Sequence, residues 1–209
     1  MLLFLASTSP ARLSVLRAGG IEPKVLAPNA DEEILTAEAL AAGLIKTTAD
    51  MVGFLAKAKA ESVLDSPEAR GLFVLGCDSS LEFEGQSLGK PHEPQVAIER
   101  WKKLRGHWGV LHSGHYLIDN RDPENRRAAF ETSSAKVFFA NLSDREIEDY
   151  VATGEPLKVA GAFTIDGLGG AFLEGIEGDP HTVIGLSLPT LRRLANQLSF
   201  HYPDFWNLQ

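Results

Sequence analysis

The chain's apolar positions change period as it proceeds. An unbroken run over Leu2–Ala6 stops at Ser7-Thr8-Ser9-Pro10, which predicts a buried strand feeding a helix. Ser9 suits the N-cap of that helix and Pro10 its first position. Leu13, Val15 and Leu16 form its apolar side, and Gly19-Gly20 ends it. "KVLAP" (24–28) predicts a second strand, followed by the acidic "NADEE". Residues 36–64 are alanine-rich and helical, with a break near 43–48. "LFVLGCDSS" (72–80) returns to a continuous apolar strand, expected to end on Asp78. "LEFEGQSLGKP" then alternates as a hairpin turning at Glu84-Gly85. A helix over 93–104 places Ala97, Trp101 and Leu104 on one side. Two long strands, 109–119 and 128–142, flank the polar loop 120–127. Ser143 and Glu146 form a capping-box pair opening a helix to Val151. Residues 161–179 form a glycine-rich strand-and-turn segment, and 188–198 a final helix. The order begins βαβ and becomes hairpin-rich, so the expected fold is α/β: a mixed sheet with flanking helices.

Composition narrows the partners. The chain has 209 residues, 44% of them hydrophobic, enough for one α/β domain of two lobes over 1–209. A formal net charge of −8 disfavours nucleic acid polymers, which need clustered Lys and Arg. A small anionic substrate remains compatible if the few cations share one cleft. No apolar run reaches bilayer length, so no membrane partner is expected. "MLLFLA" is too short for a signal sequence, and the single cysteine, Cys77, cannot form an internal disulfide. A cytoplasmic protein is the expectation.

The candidate chemistry is spread along the chain. Ser7, Ser9 and Arg12 surround a helix start, where free N–H groups and the helix dipole favour an anion; Ser9 equally reads as a plain cap. Asp78 closes an apolar strand, the place where α/β proteins hold ligands, metals or an activated water. Glu32 offers a second carboxylate for a divalent cation; the acidic run around it also suits a helix's first turn. Lys57 and Lys59 lie two apart on a helix, so they face different sides. Lys90 is pinned between Gly89 and Pro91 in a rigid turn, and Asp166 sits in "AGAFTIDGLGG", where it could read a base edge. The glycines there serve tight turns or a close backbone approach to a ligand. His112, His115 and His181 show no zinc spacing, and Cys77 reads as core. Hydroxyls, cations and paired carboxylates together suit a polyphosphate carrying Mg²⁺.

The stretches "LASTSPARLSVLRAGG", "ADEE", "LAKAKAESV", "LGCDSSLEFEGQSLGKP", "YVATGEPLKVAGAFTIDGLGGAFLEGIEGD" and "VIGLSLPTLRRL" resemble the Maf family, also called septum formation inhibitors, over nearly the whole chain. The resemblance implies a nucleoside triphosphate pyrophosphatase that forms the monophosphate and pyrophosphate with a divalent metal, Mg or Mn. It also implies an elongated inosine triphosphatase-like fold with two lobes around a central cleft, and a frequent homodimer. Asp78 then matches the proton acceptor, Glu32 the second acidic residue, Lys59 the helix lysine and Lys90 the "GKP" lysine. Asp78 and Glu32 would share the metal. Ser7, Ser9 and Arg12 match the phosphate-binding opening. Where the family carries an arginine pair, this chain has Ala11-Arg12. At the two positions that vary with base preference, Ser79 stands in place of the family's Thr or Trp, and Asp166 in place of its Gln or Glu. These leave the base open. The alternative implied by the family's older name is a nucleotide-binding regulator of cell division that does not hydrolyse.

Overall fold

The computed structural model describes residues 2–207; Met1, Leu208 and Gln209, the ends of the 1–209 domain read from sequence, lie outside the described residues. The chain runs β1 (Leu3–Ala6), α1 (Pro10–Ala18), β2 (Lys24–Leu26), α2 (Glu32–Ala41), α3 (Thr48–Glu61), β3 (Phe73–Phe83), β4 (Gln86–Leu88) and α4 (Pro94–Leu104). It continues through β5 (Trp108–Asp119), β6 (Arg127–Phe139), α5 (Asp144–Ala152), β7 (Leu173–Glu177), α6 (Pro180–Ile184) and α7 (Leu188–Gln197). The sheet is mixed and seven-stranded, in the order β2-β1-β3-β5-β6-β7, with β4 paired to β3. β1 is parallel to both β2 and β3, whereas β3–β4 and β6–β7 are antiparallel. The mixed α/β architecture expected from the element order is the one observed.

Three differences from the sequence expectation bear on the site and its surroundings, beyond strand and helix ends shifted by one to three residues. β3 does not stop at Asp78 but continues to Phe83. What ends near Asp78 is its parallel pairing with β1, whose last partners are Ala6 and Gly76. α2 begins at Glu32 rather than Thr36, because Asp31 caps it by accepting the Ile34 N–H at 3.1 Å. The acidic run is thus the first turn of a helix. Much of the glycine-rich segment folds as short 3₁₀ turns, with strand only over Leu173–Glu177.

Two compact units divide the chain. Among the described residues, the first comprises 2–78, 113–133 and 185–207, and the second 79–112 and 134–184. In the first, Phe4, Ala6, Val74 and Ile118 pack with Ala60, Val63, Ala69 and Leu72. The second is organised around Trp101, fully buried and met edge-on by Phe139, Tyr150 and Phe172. The Trp101 indole N–H donates to the Ala162 carbonyl at 2.7 Å, so the ring is buried without an orphaned donor.

In the same unit, α5 buries Ile147, Tyr150 and Val151 and is started by the capping box expected from sequence. Ser143 N donates to Glu146 Oε2 at 2.7 Å, and Glu146 N donates to Ser143 Oγ at 3.3 Å. Ser143→Ala is expected to lower unfolding free energy by about 1 kcal/mol, read as a shifted urea midpoint with unchanged slope.

Candidate active site

The first unit gathers the candidate residues around two glycine-permitted contacts. A Cβ on Gly76 would lie 2.1 Å from the Ala56 carbonyl oxygen and 2.9 Å from Ala60 Cβ, so only glycine lets α3 lie directly against β3. A Cβ on Gly114 of β5 would lie 2.3 Å from the Val52 carbonyl oxygen. The alanines of α3 serve the same close approach. Lys59, near the C-terminal end of α3, is thereby carried onto Asp78 of β3.

Lys59 Nζ donates to Asp78 Oδ1 at 2.6 Å and pairs with Glu32 Oε1 at 2.8 Å. The Lys59 and Asp78 side chains are 7% and 10% exposed, whereas Glu32 is about half exposed at 49%. The ammonium is therefore buried but held by two carboxylates, one of which faces solvent. Lys57 points elsewhere, half exposed, with Glu61 at 3.9 Å. The offset of two residues separates the two lysines as helical geometry requires.

Burial pushes the Asp78 carboxyl above its ordinary range. Lys59 and Arg12 pull it back, and Glu32 raises it further. A carboxylate displaced toward neutrality while remaining close to a cation suits proton acceptance better than an ordinary surface aspartate. The Cys77 thiol beside it in sequence is fully buried and pushed up to about 11, so it stays protonated and acts as core.

Ser7, Ser9 and Arg12 form the other side of the cluster. Ser9 caps α1 by accepting the Arg12 N–H at 3.4 Å, and Ser7 Oγ accepts the Ser9 N–H at 3.1 Å. Arg12 Nη1 donates to Ser7 Oγ at 3.2 Å and to the Cys77 carbonyl at 2.9 Å, and Arg12 Nε donates to the Gly185 carbonyl at 2.9 Å. These bonds tie the guanidinium to the peptide just before Asp78 and to the chain entering α7. Gly185 was not singled out from the sequence; nothing marks a carbonyl as an arginine anchor before the fold is known.

The second unit holds Ser79, Lys90 and Asp166. Ser79 follows Asp78 along β3 and is half-buried. Lys90 is exposed in a turn that is firmly held: the Gly89 carbonyl accepts from Arg100 Nη1 at 2.5 Å and from Gly161 N at 3.2 Å, while His92 N donates to the Leu157 carbonyl at 3.1 Å. Asp166 is exposed on a loop in the glycine-rich segment. Of the nine candidates, Ser7, Ser9, Arg12, Glu32, Lys59 and Asp78 thus belong to the first unit, and Ser79, Lys90 and Asp166 to the second.

Fold and cluster define a class: a mixed-sheet α/β protein whose buried Asp78–Lys59 pair, joined by a half-exposed Glu32, lies just past the last parallel β1–β3 partners. The chain belongs to the Maf-like protein family, whose profile matches residues 2–198. It is 51% identical to a protein of Leifsonia xyli subsp. xyli named "Nucleoside triphosphate pyrophosphatase", over 99% of this chain and 97% of that one. Proteins of the same name from Salinispora tropica and Streptomyces avermitilis are 49% and 46% identical, each over 98% of this chain and over 87% and 94% of their own lengths. Among solved structures, a nucleoside-triphosphatase / dITP/XTP pyrophosphatase from Mycobacterium abscessus aligns over 94% of this chain and 95% of that chain. Its 14% identity and TM-score of 0.38 are too low to bear on function.

Proposed function

We propose that the protein is a nucleoside triphosphate pyrophosphatase, releasing the nucleoside monophosphate and pyrophosphate. The observation that carries this reading is the Asp78–Lys59–Glu32 set, a buried proton acceptor and a buried fixed cation joined to a half-exposed carboxylate. The name shared by relatives that match nearly the whole chain supports it. In this reading Asp78 accepts a proton from water as the water oxygen bonds to the α-phosphorus. The bond between the α-phosphorus and the α–β bridging oxygen breaks, and pyrophosphate leaves with the bond's electron pair. Lys59 and Arg12 provide positive charge that is already in place before the phosphorane-like charge develops. Arg12 spends Nε and Nη1 on protein acceptors, so it acts as a fixed charge. Ser7 Oγ accepts twice, leaving its hydroxyl hydrogen to donate to a phosphate. Lys90 is assigned to phosphate charge, and Ser79 and Asp166 to the base.

The donor chemistry fits a hard divalent cation, Mg²⁺ or Mn²⁺. Two carboxylates, Asp78 and Glu32, meeting at Lys59 suit an ion that keeps waters and takes phosphate oxygens to complete its shell. Asp78 and Glu32 would hold it. When bound, it would neutralise phosphate charge and lower the pKa of a coordinated water.

A cytoplasmic location is part of the proposal; no helix among the described residues is long and apolar enough to cross a membrane. A panel of canonical and modified nucleoside triphosphates, assayed for pyrophosphate with Mg²⁺, with Mn²⁺ and with chelator, tests the reading. Pyrophosphate is expected from at least one nucleotide, and only with metal. Orthophosphate as first product, or tight nucleotide binding with no turnover, overturns the pyrophosphatase assignment.

A further inference from the structure

Within the second unit, one carboxylate organises the loop that carries Asp166. Gly154, at φ +77°, ends α5 in the left-handed conformation and turns the chain so that Glu155 faces back toward the helix and the glycine-rich segment. Four donors converge on its two oxygens. Tyr150 Oη, Thr164 Oγ1 and the Gly169 N–H donate to Oε1 at 2.9, 2.6 and 2.9 Å, and the Leu168 N–H donates to Oε2 at 2.9 Å. Two glycines of "DGLGG" permit this packing. A Cβ on Gly167 would lie 2.5 Å from Glu155 Oε2, and one on Gly169 would lie 2.3 Å from the Tyr150 hydroxyl. From sequence the glycines suit tight turns or a close backbone approach to a ligand; what Gly167 and Gly169 approach instead is the protein's own Glu155 and Tyr150.

The consequence concerns Asp166. The residues anchored on the carboxylate, Thr164 before it and Leu168 and Gly169 after it, bracket an exposed side chain that has no anchor of its own among those bonds. Burial works against the Glu155 charge, but the bonds from Thr164, Gly169, Leu168 and Tyr150 outweigh it and hold the carboxyl below its ordinary range. The anchors are therefore charge-assisted at neutral pH, which makes them stronger than neutral hydrogen bonds.

We propose that Glu155 is the positioning residue of the 164–169 loop and sets nucleobase selectivity by fixing where Asp166 presents its carboxylate. The inference rests on the assignment of Asp166 to the base made above. A carboxylate only accepts, so the base it selects presents an N–H donor edge. Displacing the loop by even a fraction of an ångström degrades that match, whereas phosphate contacts, common to all nucleotides, are unaffected.

The test uses the full chain and non-hydrolysable α,β-methylene triphosphates of adenosine, guanosine, cytidine and uridine, so that binding is read without turnover. In Glu155→Gln the side-chain amide best keeps its oxygen toward the three donors at the Oε1 position, which turns its NH₂ toward the Leu168 N–H. Two outcomes are expected. The Leu168 amide exchanges its hydrogen at least about ten-fold faster, while the Phe139 amide, bonded within the unit to the His107 carbonyl, is unchanged. The ratio of dissociation constants between best and worst nucleotide falls about ten-fold. A merely structural loss of folded protein weakens all four nucleotides by one factor and leaves that ratio alone. Tyr150→Phe and Thr164→Val, each removing one donor at nearly constant shape, are expected to move the ratio the same way by a smaller factor, and they decide the matter if Glu155→Gln does not fold.

Asp166→Ala separates the inference from its premise. If Asp166→Ala collapses the ratio but the folded Glu155, Tyr150 and Thr164 variants retain it, Glu155 does not position the loop for selection and the inference fails. If the Glu155 variant collapses the ratio and Asp166→Ala does not, the loop selects through another atom; Glu155 keeps its role and the Asp166 assignment falls. If neither moves it, or the wild-type protein binds all four alike, both fail.

Discussion

Asp78→Asn is expected to lower pyrophosphate release by about 10²- to 10⁴-fold with every nucleotide the wild-type enzyme accepts, while the chain stays folded. The loss follows from the proton. Asn at this position keeps the shape and an oxygen near Lys59 Nζ but cannot accept a proton from water. The stability cost is expected to be modest. Stripping a buried ion of its only partner costs about 3–5 kcal/mol, but Lys59 retains Glu32 at 2.8 Å, so the denaturation midpoint should move by less than that range implies. The desolvation that raises the Asp78 pKa is also removed with its charge, which offsets part of the loss. Initial-rate assays beside urea melts of the same preparation check both halves. Turnover in the variant within a few-fold of wild type, on any accepted nucleotide, removes Asp78 from the role of base. A related sign concerns pH. Because burial raises the Asp78 carboxyl, wild-type turnover should fall as acid protonates it, and that acidic limb should be missing from the residual activity of the Asn variant.

The sequence was most informative where local signals and the fold agree. The strand–Ser-Thr-Ser-Pro–helix opening was readable because capping chemistry and an apolar run are both local. Lys59 could be separated from Lys57 only as one of a pair facing different sides; which of them meets Asp78 depends on Gly76 and Gly114 letting α3 approach, a tertiary fact. Asp78 stood out as a charge in an apolar strand, yet β3 continues past it, since pairing with β4 is decided by a strand still to come. Glu155 was not singled out. It lies next to a proline after a helix, where a carboxylate usually faces solvent, and its donors come from three places in the chain. Backbone N–H groups carry no residue-specific signal. The one hint was the density of glycine around Asp166, which marks a close approach without saying to what. From sequence His115 suggests no more than a metal ligand without zinc spacing, because its burial and its bond to Ser187 are set by β5 lying against the entry to α7.

Acid should destabilise the protein in a window that His115 sets. The ring is essentially fully buried, and its Nε2 accepts the Ser187 N–H at 2.8 Å. That bond requires a lone pair on Nε2, so the neutral ring carries its proton on Nδ1. Burial, and then the nearby Arg12 charge, lower the pKa from 6.5 to about 4; the backbone at Ser113 and Glu131 and the Glu131 charge oppose this without reversing it. With the folded pKa depressed, the unfolded chain takes up the proton first as pH falls. The stabilising contribution of the neutral ring is complete above about 6.5, declines through the interval down to about 4, and is constant below; over the whole interval it amounts to about 3 kcal/mol. His112, also lowered by burial against the opposing Glu82 charge, adds in the same direction, so the wild-type curve alone does not isolate the effect. His115→Gln does, since glutamine offers an acceptor toward Ser187 and does not titrate. The variant should be less stable than wild type at pH 7.5, because it packs less well, and the gap should close or reverse by pH 4.5. Urea melts at intermediate pH values between those limits read the slopes directly. Ser187 caps α7 through its hydroxyl, and the Gly185 carbonyl two residues earlier holds Arg12, so protonating His115 would place a second cation near the guanidinium and withdraw the Ser187 bond at once. If the two curves instead run parallel from pH 7.5 to 4.5, His115 is not buried in the neutral form that its bond to Ser187 demands.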